Sequence, residues 1–166
     1  MEVGLLTPAQ QEQMVDLLLA LHDHYHPGRA LDRVLVRNHL LDNLCGPHSQ
    51  IRLVTAELGG ELLGFAAIYL VYSLVEPEPA HQRQCVLKEL FVSPHHRSQG
   101  IGLALMQWVA RYALDNGCGR IDWSVKSSNA RGIAFYESLG ARLVSDRLSY
   151  RTVSYTHLTL PTICSV

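Results

Sequence analysis

Six residues, Arg97-Ser98-Gln99-Gly100-Ile101-Gly102, constrain this chain most, because they join two apolar patterns of different period. Before them, Cys85 to Val92 reads as a strand that Ser93-Pro94 breaks. After them, Leu105, Trp108, Val109 and Tyr112 recur at helical spacing within a helix from Ile101 to Asn116. A glycine-bearing turn from strand to helix lets backbone N–H groups approach an anion closely. The helix N-terminus adds unpaired N–H groups and a positive dipole end. With Arg97, these features predict a pyrophosphate site; the plainer alternative is a tight turn that only caps the helix. The order Arg-x-x-Gly-x-Gly differs from the Gly-x-Gly-x-x-Gly of dinucleotide folds. No Gly-Lys-Ser/Thr sequence supports a Walker-type nucleotide loop.

The remaining punctuation places this loop in an α/β layered domain. Thr7-Pro8 opens a helix carrying Met14, Leu17, Leu18 and Leu21, which Pro27-Gly28 stops. A second helix is expected from Asp32 to Leu44. Ile51 to Glu57 and Leu62 to Tyr72 read as strands joined by a Gly59-Gly60 hairpin turn. Pro77 and Pro79 mark a loop. Ile121 to Val125 is a short strand, Ala130 to Leu139 a helix closed by Gly140, and Arg142 to Thr152 is expected to be strand-like. With a short strand at the start, the order is βααβββαβαβ.

Composition limits the function classes. A chain of 166 residues suits one domain with a single core. Its 14 basic and 15 acidic residues give a net charge of −1, a poor match for nucleic acid or an anionic membrane surface. No apolar run reaches the roughly 20 residues needed to span a bilayer, and the first residues lack a secretory pattern, so cytosol is the expected compartment. Cys45, Cys85, Cys118 and Cys164 have no zinc-ribbon spacing and are expected to be reduced thiols in or near the core. His22, His24 and His26 do not converge on one helix face, and no metal is expected.

About thirty residues beyond the glycine loop comes Asn129-Ala-Arg-Gly-Ile-Ala-Phe135-Tyr136-Glu-Ser-Leu139-Gly140-Ala141. Taken with Leu90-Phe91-Val92-Ser93-Pro94 and the Arg97–Gly102 loop, this resembles the GCN5-related N-acetyltransferase (GNAT) superfamily over roughly residues 3 to 152. The resemblance implies a mixed, mostly antiparallel central sheet, splayed between strands 4 and 5 and flanked by helices. It implies an acetyl-CoA-dependent N-acetyltransferase domain over 1–152, acting on a primary amine of a small molecule or protein in a ternary complex. A non-catalytic acyl-CoA-binding or sensing module on the same fold is the alternative, and a homodimer is left open.

The resemblance also assigns roles. The backbone of Leu90, Phe91 and Val92 would bond the pantetheine amides, and Arg97, Ser98, Gln99, Gly100, Ile101, Gly102 and Leu103 would hold the pyrophosphate. Asn129 would bond the pantetheine arm, beside Phe135. Tyr136 would assist the departing thiolate, against a plainer role in packing. Glu89 is the candidate base, against a surface or salt-bridge role. Strand alternation would place Leu87, Glu89 and Phe91 on one face and Lys88, Leu90 and Val92 on the other. Some relatives that acetylate polyamines carry a carboxylate where this chain has Lys88, which speaks against a simple polyamine acceptor. Asp23, His24, Tyr25, His26, Tyr72, Glu76 and Glu78 are acceptor-site candidates. Val153 to Val166 contain no Asp, Glu, Lys or Arg. This stretch resembles a translated sequencing adapter and is expected to be a non-native tail.

Overall fold

A computed structural model of the chain describes residues 1–152. The expected non-native tail lies outside the described residues. These residues form two compact units, Met1–Ser124 and a second that begins at Val125.

The first unit is built on a five-stranded sheet in the order β1 (Glu2–Leu5), β2 (Arg52–Leu58), β3 (Glu61–Tyr72), β4 (Arg83–Val92) and β5 (Cys118–Asp122). The first four strands are antiparallel, and β4 pairs β5 in parallel. Gly59 and Gly60, at φ +60° and +84°, make the hairpin turn between β2 and β3, a conformation other residues adopt only with strain.

Both faces of the sheet are covered. Helix α1 (Gln11–Tyr25) and the short α2 (Arg33–Asn38) lie on one side. Met14, Val15, Leu17, Val36 and Leu40 bury themselves there with Leu53, Leu62, Phe65, Ala67 and Phe91 of the strands. Each of the larger side chains taken from water contributes roughly 1.5–3 kcal/mol. The helix expected as one piece from Asp32 to Leu44 changes character at His39. There, Cys45 N–H reaches back five residues to the Leu40 carbonyl at 2.8 Å, a π-type turn. Helix α3 (Ile101–Asp115) connects β4 to β5 and buries Ile101, Leu105, Met106, Val109 and Ala113. Cys85 and Cys118 are buried as expected, and burial pushes the Cys85 thiol up to about 12, so it stays protonated. Cys45 departs from expectation and is exposed.

The second unit contains α4 (Ala130–Ser138). Asn129 caps it, its Oδ1 accepting from Gly132 N–H at 2.9 Å. Gly140, at φ +83°, closes it, and Ala141 N–H bonds the Tyr136 carbonyl at 3.2 Å. The strand expected over Arg142 to Thr152 does not form: those residues are irregular and exposed, with Leu143, Leu148 and Tyr150 turned to solvent. Residues can suit a strand by type, but a strand forms only where an edge pairs with it. Among the described residues, no helix is long and apolar enough to cross a membrane.

Candidate active site

The site is organised by one extra residue in β4. Ala67 faces Glu89 and Ile68 faces Leu87, so Lys88 has no partner on β3 and forms a bulge. A bulge inverts the side-chain alternation beyond it. Glu89 and Phe91 therefore share the α1 face with Ala67 and Phe65; the Phe65 and Phe91 rings lie 6.0 Å apart. Leu87 pairs Ile68 and points to the other face. This corrects the simple alternation that placed Leu87 beside Glu89 and Phe91.

On that face Glu89 is half-buried and meets the end of α1. The Tyr25 hydroxyl donates to Glu89 Oε2 at 3.0 Å. The His24 ring lies 5.3 Å from the Tyr25 ring and 6.4 Å from Phe91. Burial pushes the Glu89 carboxyl above its ordinary range. The Tyr25 hydroxyl, the Leu90 backbone N–H and the nearby His24 and Lys88 oppose that rise. The Tyr25 phenol is pushed up as well, by burial and then by the Glu89 charge. The pair is a carboxylate more basic than an exposed one, held in place by a neutral phenol.

The edge of β4 opens beside this pair. Its parallel ladder with β5 ends where Val86 faces Asp122. From Leu87 to Val92 the strand pairs β3 alone, so along this stretch alternate backbone groups face away from the sheet. Leu90, Phe91 and Val92 all lie in this segment. At its mouth is a cavity of about 300 Å³ lined by Tyr69, Val86, Leu87, Lys88, Asp122, Trp123 and Ser124. Neither the bulge nor this cavity is set by local sequence. The trace they left was two adjacent charged residues, Lys88 and Glu89, within the otherwise apolar run from Cys85 to Val92.

The glycine loop follows β4 directly. Ser98 and Gly100 both have positive φ, +63° and +80°. A serine in that conformation is strained, a feature concentrated where loops hold ligands. A side chain built on Gly100 would meet nothing within 4 Å, so open space borders the loop. Helix α3 starts at Ile101, and its first N–H groups, which include Gly102 and Leu103, have no acceptor within the helix. Arg97 is drawn to the strand it follows: its Nε donates to the Val92 carbonyl at 3.1 Å and its guanidinium lies 6.0 Å from the Phe91 ring centre. Gln99 Nε2 reaches the His95 carbonyl at 3.4 Å. These groups fit a polyanion: open space, a helix N-terminus and an arginine.

In the second unit, Phe135 and Tyr136 lie on α4 with ring centres 5.3 Å apart, both half-buried. Asn129 commits its carbonyl oxygen to the helix cap. The other acceptor candidates divide. Asp23 accepts from Gly28 N–H at 3.4 Å, and His26 packs 5.0 Å from His22, so both help to close α1. Tyr72 pairs Arg83, six residues along β4 from Glu89 and thus roughly 20 Å away; the Arg83 guanidinium covers its ring. Glu76 and Glu78 belong to the β3–β4 turn, where Glu76 N–H bonds Ser73 Oγ at 3.0 Å and the Glu78 carbonyl accepts from His81 N–H at 2.8 Å.

A mixed sheet opened between a fourth and a fifth strand, with a glycine loop leading into the intervening helix, defines a class of acyl-transfer folds. The chain belongs to the acetyltransferase (GNAT) family, whose model matches residues 13–141. That family uses acetyl-CoA as its co-substrate. Curated relatives include a thialysine N-epsilon-acetyltransferase of Sus scrofa, 33% identical over 84 residues, 51% of this chain and 46% of that protein. A streptothricin acetyltransferase of Streptomyces lavendulae is 35% identical over 81 residues, 49% of this chain and 39% of that one. The matched segments thus span about half the length of these relatives or less. Among solved structures, an integron cassette protein from the mobile metagenome of V. cholerae superposes with a TM-score of 0.84 at 28% identity, covering 92% of both chains. A ribosomal-protein-alanine N-acetyltransferase from Brucella melitensis shares the fold, with a TM-score of 0.70 at 21% identity over 92% of this chain and all of that one.

Proposed function

We propose that residues 1–152 form an N-acetyltransferase domain that moves the acetyl group of acetyl-CoA to a primary amine by direct attack in a ternary complex. The observation that carries this reading is the Tyr25–Glu89 pair beside the unpaired edge of β4. An alkyl amine of pKa about 10.4 is mostly protonated at pH 7, a handicap of roughly 4–5 kcal/mol if nothing removes the proton. Glu89, half-buried and more basic than an exposed carboxylate, accepts that proton directly or through water. Tyr25 keeps its carboxylate turned to the site.

The chain's other groups bind and orient. The backbone of Leu90, Phe91 and Val92 holds the pantetheine arm as an added strand would, and the family resemblance gives Asn129 and Phe135 a part in cofactor binding. One N–H of this strand segment would stabilise the negative charge that develops on the thioester oxygen. Arg97 and the N–H groups from Ser98 to Leu103 hold the pyrophosphate. Bound acetyl-CoA supplies an activated acyl carbon and a thiol leaving group. Tyr136 donates its hydroxyl proton, or a hydrogen bond, to the sulfur as it leaves; a phenol near pKa 10 does this without being ionised at neutral pH. Relatives named for thialysine, streptothricin and L-ornithine support a small-molecule amine over a protein amine.

The test is release of CoA from acetyl-CoA across a panel of polyamines, aminoglycosides, amino acids and peptide N-termini. Acetylation of at least one amine, abolished in Glu89→Gln, is the expected result. Acetyl-CoA binding without turnover on any amine would replace this reading with that of a binding module.

A further inference from the structure

We propose that the chain pairs with a second copy of itself, seating Leu74 and Val75 of one copy in the apolar groove between α1 and α2 of the other. This goes beyond the acetyl-transfer reading and does not rest on it.

The plug is the loop from β3 to β4. Leu74 is 101% exposed and Val75 78%, two adjacent apolar side chains turned to water. The loop that presents them is held in shape. Ser73 Oγ accepts from the Val75 N–H at 3.2 Å and from the Glu76 N–H at 3.0 Å, and the Ser73 N–H donates to the Gln82 carbonyl at 2.8 Å. Pro77 and Pro79 fix two further backbone angles. A loop held this way loses little freedom when a partner covers it.

The groove lies on the helical face of the same unit. Leu18, Leu31, Leu35, Val36, His39 and Leu44 line a cavity of about 460 Å³, with room for two aliphatic side chains. Its walls are fixed as well. Arg33 pairs with Asp16 and Glu12, and Arg37 Nε donates to Glu12 Oε1 at 2.6 Å, which ties α2 to α1. Leu35 stands at the rim, 60% exposed. Both patches face water in a single chain, and seating one on the other removes both from it.

Charge selects a second copy as the occupant. From Ser73 to Gln82 the fixed charges are Glu76 and Glu78, both exposed and, among the described residues, in no ion pair. Arg29 precedes the groove residue Leu31 by two positions, is exposed, and likewise makes no ion pair among the described residues. Asp32, the carboxylate next to Leu31, is committed to capping α2 through the Val34 N–H at 2.9 Å. A plug flanked by two unpaired anions therefore meets a groove mouth that carries an unpaired cation. When each copy gives one loop and accepts one, the contact closes as a two-fold dimer; a one-way contact would grow into a chain.

Sedimentation velocity on the full chain, over a wide range of protein concentration, reads the pairing. A concentration-dependent dimer is expected. Leu74→Asp and Leu35→Asp, both at exposed side chains, should each raise its dissociation constant at least tenfold. Arg29→Glu should weaken the dimer, and adding Glu76→Lys and Glu78→Lys to that variant should recover most of the loss. Thermal melts at the lowest concentration check that each variant folds, and Leu74→Ser or Leu35→Ser replaces an aspartate variant that melts early. A chain that stays monomeric throughout, a dimer that withstands the change at either leucine, or an Arg29→Glu loss that the two lysines do not recover overturns the proposal. Growth beyond a dimer overturns its two-fold closure.

Discussion

Tyr25, the last residue of α1, donates its hydroxyl to the carboxylate of Glu89 at 3.0 Å across 64 residues of sequence. The bond joins the C-terminal end of a helix to the middle of the central sheet. It gives Glu89 one orientation and favours its ionised form, while burial favours the neutral form. The net direction is upward, so the basic form is lost at a higher pH than in an ordinary glutamate. Activity that needs ionised Glu89 should therefore fall early as pH decreases.

Tyr25→Phe keeps the ring and removes the donor. With that bond gone, burial acts on Glu89 less opposed and its carboxyl rises further. The acidic limb of the kcat/KM profile should then move to higher pH, with a plateau a few-fold below wild type. A purely structural role for Tyr25 would change the plateau or the melting temperature without moving the limb. The pH profile measured from about pH 5 to 9 separates the two.

Gly102→Val is expected to weaken acetyl-CoA binding at least tenfold, because a branched side chain in the first turn of α3 crowds the pyrophosphate. Gly100→Ala should behave differently. Nothing lies within 4 Å of the added methyl group, but φ of +80° strains it, so a stability loss of about 1 kcal/mol is expected. Calorimetric titration with acetyl-CoA, alongside thermal melts, reads both effects. Unchanged affinity in a folded Gly102→Val protein would remove the loop from the cofactor site.

Tyr136→Phe should lower kcat by roughly 10²- to 10⁴-fold, the range for general acid–base assistance, and nearer the lower end. A thiol of pKa about 8.5 is a tolerable leaving group even without help. KM for acetyl-CoA should stay within a few-fold, since the lost interaction matters mainly in the transition state. Wild-type kcat in this variant would return Tyr136 to a packing role beside Phe135.

Gly64 lies opposite Val92, where β3 and β4 approach closely. A methyl group added there would sit 2.6 Å from the Phe91 carbonyl oxygen and 3.1 Å from Val92 Cα. Both are backbone atoms and cannot turn away. Gly64→Ala should therefore cost roughly 1–3 kcal/mol, the range for overpacking, and displace the segment that carries Leu90, Phe91 and Val92. Chemical denaturation should show the loss, and acetyl-CoA affinity should fall with it. A variant as stable as wild type, with unchanged affinity, would mean that the strands separate there without consequence.

Local sequence determined the elements of this protein and the place of its glycine loop. Pro8, Pro27-Gly28, Gly59-Gly60 and Gly140 act through their own backbone preferences, so the boundaries they mark were legible without a fold. The Arg97–Gly102 loop was legible for the same reason: its positive φ values and its position before α3 are properties of neighbouring residues. The family resemblance rested on such local motifs. The side chains around Glu89 were a different matter. Only pairing with β3 makes Lys88 a bulge, and only that bulge turns Glu89 and Phe91 to the same face as Tyr25 while sending Leu87 to the other. The cavity between Lys88 and Asp122 exists because a parallel ladder stops at Val86, a fact of register between strands far apart in the chain. The strand expected after Arg142 failed for the converse reason, since strand-like residues alone supply no partner edge. Turns and helix starts are set by a few adjacent dihedral angles. Register, bulges and the direction of a side chain across a sheet are set by contacts between distant residues, and these were decided by the tertiary structure.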